Sequence, residues 1–237
     1  MKRKKYIAFV PARSGSKRVK NKNIKILGEK PLFMWTIDKL LNIDLIEKII
    51  FSTDSDLYID ILNKNINDID RKKILIDKRE KSQASDSIKI YDYIKNHLIH
   101  NFNFDDFDSL IISLPTSPFK TEEDFYNMIE LHENKNRSVF SASTYSFPVS
   151  FSFNVSDEGW IPLLKGNPML DGNTRSQDQN KAFHPNGAIY IMHLNDLKNK
   201  PPKTLYINAI PYTLVGDSSI DIDTEYDFKI AEFIVQR

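Results

Sequence analysis

The chain has 237 residues, enough for one large domain or two small ones around a sizeable core. Apolar residues make up 41% and charged residues 27%, which excludes a disordered chain, and no apolar run nears the roughly 20 residues that a bilayer-spanning helix needs. With no cysteine there is no disulfide framework, no thiolate zinc site and no cysteine nucleophile.

The net charge of +1 conceals a polarised distribution. Residues 1–30 hold eleven of the 33 Lys and Arg and a single acid, Glu29, leaving 22 basic against 31 acidic residues elsewhere. Nonspecific nucleic-acid binders spread basic charge over a face, so this concentration points to a local polyanion site on an acidic body. A solvated tail accounts for Lys2 to Lys5 but not for the later cations. The start is basic like a secretion signal, yet the apolar run 6–10 is too short for one, and a cytoplasmic protein is expected.

Taken in chain order, residues 6–10 form an apolar run of buried-strand type that ends at Pro11 in a Ser- and Gly-containing loop. Pro31 opens a helix with Leu32, Trp35, Leu40 and Leu41 broadly on one side. A second strand is predicted over 48–52, and Ser52-Thr-Asp-Ser-Asp56 caps a helix carrying Leu57, Ile61 and Leu62. A third strand covers 73–76, a helix 85–100 carries Ile88, Tyr91 and Leu98, and a fourth strand covers 109–114. Thr121 to Asp124 has the spacing of a capping box. Such alternation implies an α/β layer architecture with a largely parallel sheet. The pattern breaks after Val139, and 144–186, rich in Ser, Asn, Pro, Phe and Gly, reads as a β-rich excursion suited to packing on a partner subunit. Strands resume over 186–191 and 205–210. A helix over 224–235 closes the chain, with Phe228, Ala231 and Ile234 on its buried face. No internal repeat or interdomain linker interrupts the chain, so residues 1–237 read as one domain.

Four segments could carry chemistry. Pro11-Ala-Arg-Ser-Gly-Ser-Lys17, continuing through Lys20, Lys22 and Asn23, leaves the C-terminal end of the first strand, where ligands bind in open α/β sheets. Gly15 permits close backbone approach, while Arg13, Lys17 and the serine hydroxyls suit a phosphate chain. It matches neither Gly-x-x-x-x-Gly-Lys-[Ser/Thr] nor Gly-x-Gly-x-x-Gly, which disfavours a P-loop ATPase and a dinucleotide dehydrogenase. An ordinary solvated turn remains open. In Ser219-Ile-Asp-Ile-Asp223, extended backbone would place Asp221 and Asp223 on one face about 6.6 Å apart, fit to share one hard cation. The alternative leaves Asp221 exposed and Asp223 capping the last helix. In the third segment, Ser85 or Asp86 suits a helix N-cap, and Arg79 is either a surface residue or a phosphate ligand. In the fourth, Asn186-Gly187 is either a turn or a polar contact for a sugar or base. His97, His100 and His132 fall on helices and are expected at the surface or its boundary. No Ser-His-Asp order or His-x-x-x-His pair appears, which disfavours hydrolase and zinc readings.

Together, Pro11 to Lys17 with Lys22-Asn23, Ser52-Thr-Asp54, Arg79 seven residues before Asp86, Pro115-Thr-Ser-Pro118, Pro185-Asn-Gly-Ala-Ile-Tyr190 and Asp221-Ile-Asp223 resemble the cytidylyltransferases that activate nonulosonic acids, the CMP-sialic acid synthetases. The resemblance implies an α/β, Rossmann-like nucleotidyltransferase fold with a mostly parallel central sheet and a small β-rich dimerisation excursion, mapped to 144–175. It implies that CTP and an acidic nine-carbon sugar give a CMP-sugar and pyrophosphate by direct attack of the anomeric hydroxyl on the α-phosphorus. Carried over, Arg13, Ser16 and Lys17 hold the triphosphate, and Asn23, Arg79 and Ser87 complete the nucleotide pocket. Asp221 and Asp223 bind Mg²⁺ and act with Arg13 and Lys17 in catalysis. Asn186, Arg175, Gln177 and Thr116 face the sugar. A homodimer is implied, with neither nucleic acid nor membrane as partner.

Departures from the family pattern cluster on the sugar side. Leu114 stands where many relatives have Gln, Ser150 where sialate users often have Lys, and Ser176 where a second Arg is frequent. They point to a bacterial-type acid such as legionaminic or pseudaminic acid. Two alternatives stay open: a CMP-Kdo-type synthetase, and a noncatalytic phosphate- or RNA-binding module.

Overall fold

The computed structural model describes residues 4–199 and 204–237, so Lys2 and Arg3 of the basic start lie outside the described residues. Strand β1 (Tyr6–Pro11) is buried from Tyr6 to Val10. The loop after it contains a two-stranded ribbon, β2 (Ile26–Leu27) and β3 (Lys30–Pro31), which leads into helix α1 (Leu32–Asn42). Then come β4 (Ile46–Thr53), α2 (Asp56–Asn65), α3 (Asp68–Arg71) and β5 (Ile74–Lys78). Helix α4 (Ile90–Tyr93) runs through a π-helical stretch (Ile94–Leu98) into α5 (Ile99–Asn101). Strand β6 (Ser109–Ser113), α6 (Glu122–Lys135) and β7 (Val139–Thr144) precede a hairpin of β8 (Phe153–Ser156) and β9 (Gly159–Pro162). Strand β10 (Phe183–His193), α7 (Leu194–Asn199), β11 (Ile210–Thr213) and α8 (Glu225–Val235) complete the order.

Seven strands form one sheet in the order β11-β7-β10-β6-β1-β4-β5. Strand β1 pairs in parallel with both β4 and β6, and β4 with β5; β10 alone runs antiparallel, between β6 and β7. The expected mostly parallel α/β sheet is therefore what forms. Its central strands are continuous apolar runs because both faces are covered. Tyr6, Ala8 and Val10 pack beneath Phe33 and Ile37 of α1 and Phe125 and Met128 of α6. Ile7 and Phe9 point the other way, towards Tyr93, Ile94 and Leu98 and towards Leu194 and Leu197 of α7.

Because β4 and β6 flank β1 on opposite sides, the chain reverses direction across the sheet at the C-terminal end of β1, the location where open α/β sheets bind ligands. A third, smaller core seals that end. Val19 from the basic loop, Leu27, Leu32, Ile222 and Phe228 and Ala231 of α8 are all fully buried together. It ties the N-terminal loop to the acidic segment near the chain's end.

Several local expectations need correction. Helix 85–100 begins only at Ile90, after a 3₁₀ turn (Lys81–Ala84) closed by a reciprocal Glu80–Gln83 capping box. Neither Ser85 nor Asp86 caps it, since Asp86 is drawn into ion pairs with the basic loop. The last helix is capped by the Thr224 hydroxyl, with Asp227 reciprocating, and not by Asp223. Of 205–210 only Ile210 is in strand, and β7 forms where the sequence pattern seemed to end. The reason is that β7 buries serines, and Ser141 and Ser143 are satisfied by Asn186 of β10, so its core face does not read as apolar.

His132 is also not at the boundary. It is fully buried, 2.9 Å from the Ser109 hydroxyl through Nε2, with Nδ1 2.6 Å from the Arg137 carbonyl oxygen and its ring 4.2 Å from that of His193. Burial lowers its pKa to about 4, against the Arg137 hydrogen bond and with the His193 charge adding to the shift. The unfolded chain takes up this proton near pH 6.5, so below that pH it binds a proton the folded chain refuses. Stability will therefore fall as pH drops from 6.5 to about 4, by roughly 3 kcal/mol from this residue. Urea midpoints across that range will show the decline, and His132→Gln will flatten it; an unchanged slope in the variant would refute the assignment.

Candidate functional site

A cleft of about 290 Å³ opens at the C-terminal ends of β1 and β6. One wall is the loop after β1, including Arg13, Ser16, Lys17, Arg18, Lys22 and Asn23. A second is the turn after β6, from Leu114 to Thr116, with Asp221 and Asp223 beside it. The third comprises Arg79, Gln83, Ser85, Ile88, Ile90 and Tyr93.

Local contacts fix the basic loop. Gly15 adopts φ +73°, a left-handed conformation that side-chain-bearing residues rarely take. Just before it, the Ser14 amide and hydroxyl donate to the Asp54 carboxylate at 2.7 and 2.5 Å. Burial works to raise the Asp54 pKa, yet these two bonds hold it below its ordinary value. On the other side, the buried Asn23 amide donates to the Arg13 carbonyl oxygen at 2.9 Å. The loop is thus braced at both ends and is not an ordinary solvated turn.

Its cations face two acids. Arg13 and Lys17 both pair with Asp86, Lys17 at 2.7 Å, and the Lys17 hydrogen bond followed by that of Arg13 depresses the Asp86 pKa. Arg18 grips Asp223 through two bonds of 3.0 Å, and Lys22 Nζ lies 3.3 Å from the same carboxylate. Lys17 and Asp223 consequently stand on one cleft.

Asp221 differs from Asp223. Burial pushes its carboxyl above the usual range, the Thr116 hydroxyl opposes this, and the neighbouring Asp223 charge adds to it. The Ser117 hydroxyl is 3.3 Å away, and the Ile222 amide donates to the Thr116 carbonyl oxygen at 2.8 Å. Among the described residues Asp221 therefore faces hydroxyls and makes no ion pair, with Lys22 acting on it only as a nearby charge. Two carboxylates beside hydroxyls form a hard-oxygen donor set, and among the described residues no group of three or more His, Asp or Glu forms a complete metal cage. Such a half-site fits a cation that takes its other ligands from substrate phosphates and water.

Arg79 is 8% exposed and rests on the Tyr93 ring, 4.5 Å from its centroid. Ser87 is exposed and does not line the cleft, its hydroxyl lying 2.9 Å from that of Ser85, which does. Of the four residues expected to face the sugar, Thr116 lines the cleft and Asn186, Arg175 and Gln177 do not. Asn186 spends its amide on Ser141, Ser143 and the Ala188 amide. This polar knot lies where β10 bulges past β7, with Gly187 at φ +77°. Arg175 and Gln177 are exposed in the excursion, and Gln177 borders a separate depression with Tyr145 and Phe147. Sequence reasoning missed the roles of Arg18 and Asp86 as ion-pair partners and of Tyr93 under Arg79. The crowding of cations over 13–22 signalled Arg18 but gave it no partner.

The sequence pattern of the cytidylyltransferase family, described as "Cytidylyltransferase", matches residues 7–206. An N-acylneuraminate cytidylyltransferase of Escherichia coli is 31% identical over 99% of this chain and 53% of its own length, so the chain spans about half of that relative. A CMP-N,N'-diacetyllegionaminic acid synthase of Legionella pneumophila is 30% identical over 97% of this chain and 96% of its own. Among solved structures, a CMP:2-keto-3-deoxy-manno-octonic acid synthetase complexed with CTP superposes with a TM-score of 0.66 at 14% identity, covering 98% of this chain and 99% of that one. At that identity the likeness speaks to the fold alone. With the family pattern running from β1 past α7 and a near-full-length relative at 30% identity, the chain belongs to the cytidylyltransferase family.

Proposed function

We propose that the chain transfers a cytidylyl group from CTP to a nonulosonic, sialic-type keto-sugar acid and releases pyrophosphate. The observation that carries this reading is the meeting of the cationic loop and the Asp221–Asp223 pair on one cleft at the end of β1. Arg13, Ser16 and Lys17 would hold the triphosphate by charge-assisted bonds, exchanging Asp86 for phosphate oxygens. Asn23 keeps that loop in shape, and Arg79 and Ser87 close the nucleotide end. The sugar's anomeric oxygen attacks the α-phosphorus, the bond to the β-phosphate oxygen breaks, and the hydroxyl proton is lost to solvent. Asp221 and Asp223 would hold Mg²⁺, which supplies neutralisation of phosphate charge. Arg18 and Lys22, already at the same carboxylate, place further positive charge beside the leaving pyrophosphate.

The sugar would enter by Thr116. The exposed Phe153, Trp160, Leu163 and Leu164 of the 144–175 excursion suit a homodimer, across which Arg175 and Gln177 would reach the partner's sugar. Leu114 puts an apolar side chain on the cleft, and the Ser150 hydroxyl lies 3.1 Å from Gln179, so two polar contacts frequent in sialate users are replaced. That favours a legionaminic- or pseudaminic-type acid over N-acetylneuraminate. The test is pyrophosphate release from each nucleoside triphosphate, with magnesium, against a panel of keto-sugar acids. CTP with a nine-carbon acid is the expected pair, and a bacterial-type acid should give the highest kcat/KM. Preference for Kdo would move the assignment to the eight-carbon reaction. No turnover with any pair, together with salt-steep RNA binding, would support the noncatalytic module.

A further inference from the structure

Behind Arg79 lies a buried carboxylate that the proposed reaction does not use. Asp77 is 3% exposed and sits on β5 directly opposite Ser52 of β4 in the parallel register. The Ser52 hydroxyl donates to Asp77 Oδ2, and the Tyr93 hydroxyl donates to the same oxygen at 2.7 Å. Arg79 Nε in turn donates to the Ser52 hydroxyl oxygen at 2.7 Å, and Nη2 to the Ser52 carbonyl oxygen at 3.3 Å. The guanidinium is therefore held edge-on by Ser52 and face-on by the Tyr93 ring, and both holders are fastened to one oxygen of Asp77. Nη1 makes no hydrogen bond to another described residue, so donors remain for a ligand in the cleft that Arg79 and Tyr93 both line.

An isolated guanidinium at this depth would be costly, and the carboxylate one hydroxyl away offsets that cost while leaving the outward N–H groups free. A neutral amide at 77 could still accept from both hydroxyls through its single oxygen but could not charge-balance the arginine. We infer that Asp77 is a positioning residue for the nucleotide end of the cleft, acting through Ser52 and Tyr93 to hold Arg79 in the orientation that receives the nucleotide. It rests on the cytidylyl-transfer reading above.

The experiment measures CTP binding by calorimetry and steady-state kinetics for the wild-type chain, D77N, D77A, S52A and Y93F, with melting curves for each. In D77A, KM for CTP should rise about tenfold or more, with kcat and the sugar KM within about threefold of wild type. D77N, which keeps one acceptor oxygen for the two hydroxyls, should recover part of the loss. S52A should show a rise of similar size, and D77A with S52A together should lose less than the two single changes added. Should D77A melt below the assay temperature, S52A and Y93F, each lacking one hydroxyl, decide the matter. Unchanged CTP affinity in a folded D77A or S52A overturns the inference, as does an equal rise in the sugar KM. Failure of the wild-type chain to bind CTP would instead overturn the functional reading, and this inference with it.

Discussion

On the proposed cytidylyl transfer, Asp221→Asn will give a folded protein whose magnesium-dependent pyrophosphate release from CTP is slower by about 10³-fold, the size of effect seen when one preorganised electrostatic group is removed. The side chain keeps its size and can still meet the Thr116 and Ser117 hydroxyls, so geometry is largely preserved. What disappears is the negative charge. Because burial already raises the Asp221 pKa, the ionised form is disfavoured in the fold, and its removal relieves desolvation. The sign is definite: a carboxyl with a raised folded pKa destabilises the fold at pH values above it, so the amide should match or exceed the wild-type melting temperature at neutral pH. Activity within tenfold of wild type in a folded Asp221→Asn would remove this residue from the reaction.

Lys120→Ala will destabilise the fold by about 2–4 kcal/mol, or roughly 5–15 °C in melting temperature. Lys120 is fully buried, with Nζ 2.5 Å from the Leu114 carbonyl oxygen and 3.3 Å from the Thr36 hydroxyl. Lys39 Nζ lies 3.0 Å from the Pro118 carbonyl oxygen, so two amines hold the two ends of the turn that presents Thr116 and Ser117 to Asp221. Burial drives the Lys120 pKa well down, with the Lys39 charge next in effect, so part of its binding energy offsets its own desolvation. Alanine loses the bond and leaves a cavity. Methionine at 120 keeps most of the volume and should cost less. Calorimetric melts of both variants check the ranking, and an Ala variant that melts like wild type would show that the amine contributes nothing net.

Much of the fold was legible because its central strands are buried on both faces and its helices carry start signals. Tyr6 to Val10 and Leu110 to Ile112 have no other comfortable place, and Thr121 with Asp124 marks a helix start that the structure reproduces as a reciprocal cap. The cleft was legible for a different reason: Pro11 ends a strand, Gly15 needs a left-handed backbone, and cations crowd the loop between them and Asn23. Contacts between distant polar residues were not legible. Nothing local distinguishes Asp86 the helix cap from Asp86 the partner of Arg13 and Lys17, and the tertiary ion pairs won. Asn186 looked outward-facing because turns and ligand contacts both use Asn, whereas the serines of β7 claim its amide. His132 defeated its burial expectation and Lys120 gave no signal of burial at all, since a polar residue enters a core only when partners elsewhere in the fold satisfy it.

The small apolar cluster that joins Val19 to Ile222 has a consequence for how the protein comes into being. Arg18 and Asp223, which it brings into contact, are 205 positions apart. At ribosomal speeds of about 5–20 residues per second, the second partner emerges roughly 10–40 s after the first. Until then Arg18 and Lys22 stand on the nascent chain with their acidic partner still unmade, while Arg13 and Lys17 already have Asp86. The cleft is therefore complete only once the segment around Ile222 and α8 has been made, and truncation before α8 would leave it unsealed.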